Sequence, residues 1–221
     1  MTRAAKRPEP APTGPPPPDE APLLHGLRSG DRAAFAELVR RHGGALLRFA
    51  RSVTGNEAVA EEVVQETWIA ALDGLGRFEG RSSLRTWLFH VIANKARTRA
   101  VRERRSVPFS ALAGPEDEGA GGEEADAFDH AGGWKEPPGR WSEESPERLV
   151  ADAETRAAIE AAIAALPASQ RAVITLRDME GLDGDEICNI LGVTATNQRV
   201  LLHRARVRVR AALDRHLGGA R

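Results

Sequence analysis

The chain has 221 residues, with 31 Lys and Arg against 32 Asp and Glu, a formal charge of −1, 41% hydrophobic and 5% aromatic residues and no tyrosine. That length suits one or two small domains, and so few aromatics argue for helical modules over a single large core. A lone cysteine, Cys188, excludes an internal disulfide framework and a cysteine-rich zinc site. No apolar run is long enough for a membrane span or a signal-peptide core, so a cytoplasmic protein is expected.

Met1 to Pro22 carries Pro8, Pro10, Pro12 and the run Pro15 to Pro18, which suit neither helix interior nor core and predict a disordered arm over residues 1–22. Asp31 is a plausible N-cap for a short helix with Phe35, Leu38 and Val39 inward. After Gly43-Gly44, a second helix presents Leu46, Leu47, Phe49, Ala50 and Val53. His42 and His90 have no second ligand at metal spacing, and both are expected to be structural.

From the N-cap Asn56, Ala60, Val63, Val64, Trp68, Ala71, Leu72 and Leu75 recur at three- and four-residue steps as a core stripe. Glu61, Glu62, Gln65, Glu66 and Asp73 are left toward solvent. Gly74, Gly76 and Gly80 break the pattern, and the loop Arg77 to Ser83 ends in a serine suited to capping. The next helix starts at Leu84 with Trp87, Leu88, Val91 and Ile92 inward. Beyond Asn94 it carries Lys95, Arg97, Arg99, Arg102, Arg104 and Arg105 against one carboxylate, Glu103. Such density of cation on one helix suits phosphate contact, with an affinity that falls steeply with salt.

Between Gly114 and Glu147, eleven carboxylates face two cations in a Gly- and Pro-rich stretch, which reads as a flexible acidic linker over residues 107–148. Trp134 and Trp141 within it hint at anchoring on a partner. Helical periodicity resumes near Pro146 and Leu149, through Ile159, Ala162, Ile163 and Leu166, then Ala172, Val173, Leu176 and Met179 up to Gly181. Gly184 to Thr194 has the grammar of a helix-turn-helix, with Ile187, Ile190 and Leu191 inward, Gly192 at the turn and Thr194 as the next cap. The helix from Ala195 to Leu213 buries Leu202, Ala205 and Val209 and displays Arg199, His203, Arg204, Arg206, Arg208 and Arg210. In such a motif it enters the major groove by its first turns. Cys188 is expected to pack as a small apolar group.

Ala60-Glu61-Glu62-Val63-Val64-Gln65-Glu66-Thr67-Trp68, with Phe78 to Leu88 and Ile92-Ala93-Asn94, resembles the promoter-melting domain of extracytoplasmic-function sigma factors of the sigma-70 family. Leu166 to Arg171, Asp178 to Leu182 and Leu202 to Arg206 resemble the −35-binding domain of the same family. The resemblance implies docking of Glu61, Glu62, Gln65 and Glu66 on the clamp helices of the largest subunit of core RNA polymerase. It also implies contact of Phe78, Arg81, Ser82, Ser83, Trp87 and Asn94 with the −10 element, where a base is flipped out and captured. Lys95, Arg97, Arg99 and Arg102 then follow the DNA backbone. Trp87 lies equally on the core stripe. An anti-sigma protein is a further expected partner, and a linker threading the polymerase cleft is implied.

The start of the last helix departs from the family. A small residue, threonine, valine and then Lys-Ser-Arg are usual there, whereas this chain has Thr196, Asn197, Gln198, Arg199, Val200 and Leu201. Gln198 stands at a position that is usually apolar. Asn197, Gln198 and Arg199 are expected to read bases, with Thr196, His203, Arg204 and Arg206 completing the DNA-binding set. The expected protein is all-α, with two small helical domains at 23–106 and 149–217 joined by the acidic linker. It is a sigma factor with no catalytic residue, cofactor or metal of its own. The alternative is a stand-alone helix-turn-helix regulator; no metalloprotease or phosphate-loop motif favours an enzyme.

Overall fold

The computed structural model describes residues 20–102 and 153–218. The arm before Glu20, the acidic linker with Trp134 and Trp141, and Arg104 and Arg105 lie outside the described residues. The described residues form two helical units and contain no strand.

In the first unit, α1 (Glu20–Arg28) precedes α2 (Arg32–Thr54). Asp31 caps α2 by accepting from the Ala33 N–H at 2.9 Å, and Gly55 ends it at φ 63°, a left-handed conformation that costs glycine least. The expected break at Gly43-Gly44 is absent, because α2 runs on through both glycines. It packs along α3 (Glu57–Gly74) and α4 (Leu84–Arg102), and that tertiary burial outweighs the weak helix propensity of two glycines. Asn56 caps α3 through the Val59 N–H at 3.2 Å. A 3-10 turn at Leu75–Arg77 then leads into the loop before α4.

The start of α4 is capped twice. Ser83 Oγ accepts from the Thr86 N–H at 3.0 Å, and the Glu20 carboxylate, brought from the head of α1, accepts from the Leu84 N–H at 2.9 Å. Glu20 therefore belongs to the folded unit, which begins three residues earlier than the expected boundary at 23. Leu84, Leu88, Phe89, Ile92, Ala93 and Ala96 are buried on α4. This arc is wider than the expected stripe, since Phe89 meets Phe49 edge to face at 5.7 Å while Trp87 and Val91 sit at its margin.

The second unit comprises α5 (Ala153–Ala164), α6 (Ala168–Ile174), α7 (Gly184–Leu191) and α8 (Ala195–Gly218). A π-turn, Thr175–Met179, extends α6 and leaves Met179 exposed, against its expected place in the core. Asp183 and Glu186 form a reciprocal capping box at the head of α7, and Gly192 ends α7 at φ 70°. Helices α5, α6 and α7 all pack on α8.

The two units touch, α2 lying against α6 and α4 against α7. The centre of this contact is Glu180, whose side chain is 3% exposed. Its carboxylate accepts from Arg48 at 2.8 Å and Arg85 at 2.9 Å, both from the first unit. Around it, Arg85 also donates to the Glu180 carbonyl, Thr86 Oγ1 donates to Glu186 at 2.5 Å, and Arg171 donates to the Ser52 carbonyl at 2.7 Å. Burial lowers the pKa of Arg171 from its ordinary value.

Burial, reinforced by the Arg85 and Arg41 cations, holds His42 below its ordinary pKa of 6.5. The unfolded chain therefore binds more protons near that pH, and stability falls as pH drops through 6.5. Chemical denaturation at pH 7.5 and 5.5 is expected to show this loss, and His42→Gln is expected to reduce it.

Candidate nucleic-acid interface

Three surfaces carry the residues singled out from the sequence. On α3, Glu61, Glu62 and Gln65 are exposed and Glu66 is half-buried. Glu62 and Glu66 are not isolated, since Arg99 of α4 reaches them at 2.5 and 3.8 Å. The acidic face and the basic helix are thus tied by one guanidinium. Leu72, expected in the core, is exposed together with Ile69, which is 63% exposed. Both continue the outward face of Glu62, Gln65 and Glu66 by one and two turns, a spacing that was available in the sequence.

The loop before α4 and the helix itself form the second surface. Phe78 corrects one expectation: only 5% exposed, it packs on the Trp87 ring at 5.2 Å, and its carbonyl accepts from Arg28 at 2.6 Å. Its aromatic ring closes the end of the core and presents no face to a base. Arg81 is exposed, with Glu79 at 3.3 Å, Ser82 is half-buried, and Ser83 serves as the α4 cap. Trp87, Asn94 and Lys95 are half-buried. Arg97 donates to the Leu191 carbonyl at 2.9 Å, at the end of α7, and so joins the two units. Arg102 is the last residue of α4, and its side chain lies outside the described set.

The third surface is the start of α8. Thr194 caps it, its hydroxyl accepting from the Asn197 N–H at 3.2 Å, and the chain arrives there through the left-handed Gly192. Thr196, Arg199 and Val200 point outward, and Asn197 is half-buried. Gln198 is the second correction: it is 5% exposed, with its amide oxygen 3.8 Å from where a Cβ on Gly184 would stand. Gln198, Leu201, Leu202 and Ala205 make the inward face, so the position that is usually apolar is indeed inside. Leu201, which stands where the family usually has a charged residue, is buried on the same inward face. His203 and Arg204 are half-buried, Arg206 is held by Asp178 at 2.6 Å, and Arg208 by Gln170 at 2.9 Å.

Burial, then the Asp185 charge, pushes the Cys188 thiol above its usual pKa, which disfavours the thiolate. Among the described residues, no group of His, Cys, Asp and Glu is placed to hold a metal ion, and no helix is long and apolar enough to cross a membrane.

A helix-turn-helix beside a unit that sets an acidic helix, α3, against a basic, doubly capped helix, α4, is the arrangement of a DNA-binding transcription protein. Residues 38–106 match the family described as Sigma-70 region 2, and residues 156–209 match Sigma-70, region 4. RNA polymerase sigma-H factor of Pseudomonas aeruginosa is 29% identical over 87% of this chain and 92% of its own length. RNA polymerase sigma factor CnrH of Cupriavidus metallidurans is 33% identical over 84% of this chain and 90% of its own. The solved structure of CnrH in complex with the cytosolic domain of CnrY superposes with a TM-score of 0.50 at 25% identity, covering 87% of this chain and 95% of that one. The fold also matches sigma factor RpoE, solved with the anti-sigma factor NepR from Bartonella quintana, at a TM-score of 0.53 and 20% identity over 81% and 96% of the two chains. The chain belongs to the sigma-70 family, as a sigma factor of the extracytoplasmic-function type. It acts with core RNA polymerase to direct transcription initiation at promoter DNA.

Proposed function

We propose that residues 20–106 form the unit that docks on polymerase and melts the −10 element, and residues 149–217 the unit that reads the −35 element. Residues 107–148 act as an acidic tether, and residues 1–19 as an arm. Docking is by Glu61, Glu62, Gln65 and Glu66. Arg81, Ser82 and Asn94 meet the −10 strand, with Lys95, Arg97, Arg99 and Arg102 on phosphates. Phe78 and Trp87 act from the core, by shaping the loop that presents Arg81 and Ser82.

At the −35 element, Thr196 and Arg199 reach base edges, Asn197 flanks them, and His203, Arg204 and Arg206 follow the backbone. The observation that carries this reading is the outward stripe of α8, directly after a capped helix-turn-helix turn and within the region 4 match. Gln198 has no place among the readers, because its side chain is inside. The protein works in the cytoplasm and carries no catalysis of its own. An anti-sigma protein covers the DNA-binding units when the factor is held inactive, a reading supported by the CnrH and RpoE complexes.

The test is promoter binding by polymerase carrying Arg199→Ala. Loss of a bidentate guanine contact is expected to weaken binding about tenfold and to relax the preference at one base pair. Unchanged affinity together with unchanged preference removes Arg199 from the reading set.

A further inference from the structure

The outward face of α8 holds one feature that general DNA affinity does not require. At 3.6 residues per turn, Thr196, Arg199, Val200 and His203 fall on one face. Burial agrees with this, because Thr196, Arg199 and Val200 are exposed while Gln198, Leu201, Leu202 and Ala205 are inside. Val200 is 40% exposed and is the apolar member of that face, set between Thr196 and Arg199 on one side and the cations that follow His203 on the other.

We infer that Val200 is a specificity-determining residue that reads the 5-methyl group of a thymine in the −35 element. The inference rests on the proposed −35 role of α8 and adds the base that the helix selects. In the major groove, each base pair presents hydrogen-bonding groups, and the thymine methyl is the one apolar group on offer. A valine cannot answer a donor or an acceptor, so against cytosine N4 or adenine N6 it strips water from an amine and returns nothing. Against thymine it buries methyl on methyl. Val200 therefore favours one base and penalises two others by the same contact. Arg199, one residue earlier and about 100° around the helix, reaches a neighbouring base pair, where guanine offers O6 and N7. The recognition half-site is thus expected to hold guanine next to, or one base from, a thymine whose methyl faces Val200.

Val200 makes this testable without harm to the fold, since exposed substitutions of this kind change stability little. Polymerase carrying the full chain is used to select initiating duplexes from a library randomised upstream of the start, and each selected thymine is then replaced singly by deoxyuridine. At one thymine, removal of the methyl is expected to weaken binding about fourfold, the equivalent of ~0.8 kcal/mol for one buried methylene-sized group. With Val200→Ala or Val200→Ser, the ratio of thymine to deoxyuridine at that position is expected to fall close to one, while Arg199→Ala leaves the ratio in place. Three results overturn the inference: no thymine is selected, no thymine is sensitive to loss of its methyl, or the sensitivity persists in both Val200 variants. Failure of the −35 reading looks different, because the −35 positions are then unselected even for the parent chain, while the −10 positions are still selected.

Discussion

Replacing Glu61 and Gln65 together by lysine will lower the affinity for core RNA polymerase on the order of 100-fold, about 2.7 kcal/mol. Both side chains are exposed on α3, and neither is among the carboxylates that Arg99 holds, so the double variant reverses the face without disturbing the link to α4. Lysine at Glu62 or Glu66 would instead set a second cation beside Arg99 and confuse docking with folding. The thermal unfolding transition is expected to stay within about 2 °C, as for exposed substitutions, while co-purification with core polymerase is lost. If the variant binds polymerase as the parent does, the acidic face of α3 is not the docking surface. Ile69 and Leu72 extend that face with exposed apolar area, the kind of surface that protein interfaces combine with a polar rim.

The second large effect is expected at Glu180. Its carboxylate is almost fully enclosed and faces two guanidiniums from the other unit, so Glu180→Ala leaves Arg48 and Arg85 without their shared partner. Breaking one side of a buried charge cluster costs about 3 kcal/mol, toward the low end of such losses here because Arg48 and Arg85 remain partly in water. Since Glu180 is the centre of the contact between the units, the loss is expected to separate them and not to melt either one. Small-angle scattering should then show a larger radius of gyration at unchanged helical content by circular dichroism. A variant as compact as the parent would mean that α2 against α6, and α4 against α7, suffice alone.

Much of this was legible in the sequence, and the exceptions have physical causes. Asn56, Asp31, Ser83 and Thr194 all act as the caps that their side chains suggest, because capping is a local interaction between residues two or three apart. Glu20 could not be found in that way, since it caps a helix that begins 64 residues later. The glycine pair in α2 misled for a related reason: propensity counts the cost of two glycines, whereas the helix is held by α3 and α4. Glu180, set in a pattern shared with the family, gave no sign that it would sit between arginines from the first unit.

In the site itself, Gln198 was drawn to DNA by an amide that suits bases, and Phe78 by the family resemblance. Their surroundings decided otherwise. Gln198 lies at helical spacing from Leu201, Leu202 and Ala205, and that spacing, read before the amide, would have placed it inside. Arg97 and Arg99 read as two cations of a basic helix, yet one donates to the Leu191 carbonyl and the other bridges to Glu62. Charge along a helix is visible in one dimension, and its partners are not.

The central claim is that this chain confers promoter-specific initiation on core RNA polymerase through two separate helical units. Run-off transcription with purified core polymerase, with and without the chain, on a library of candidate promoters tests it most directly. The account predicts transcripts of defined start that depend on the chain, from a small set of promoters sharing an upstream and a downstream element. Transcription that is unchanged by adding the chain, although it binds DNA, would contradict it.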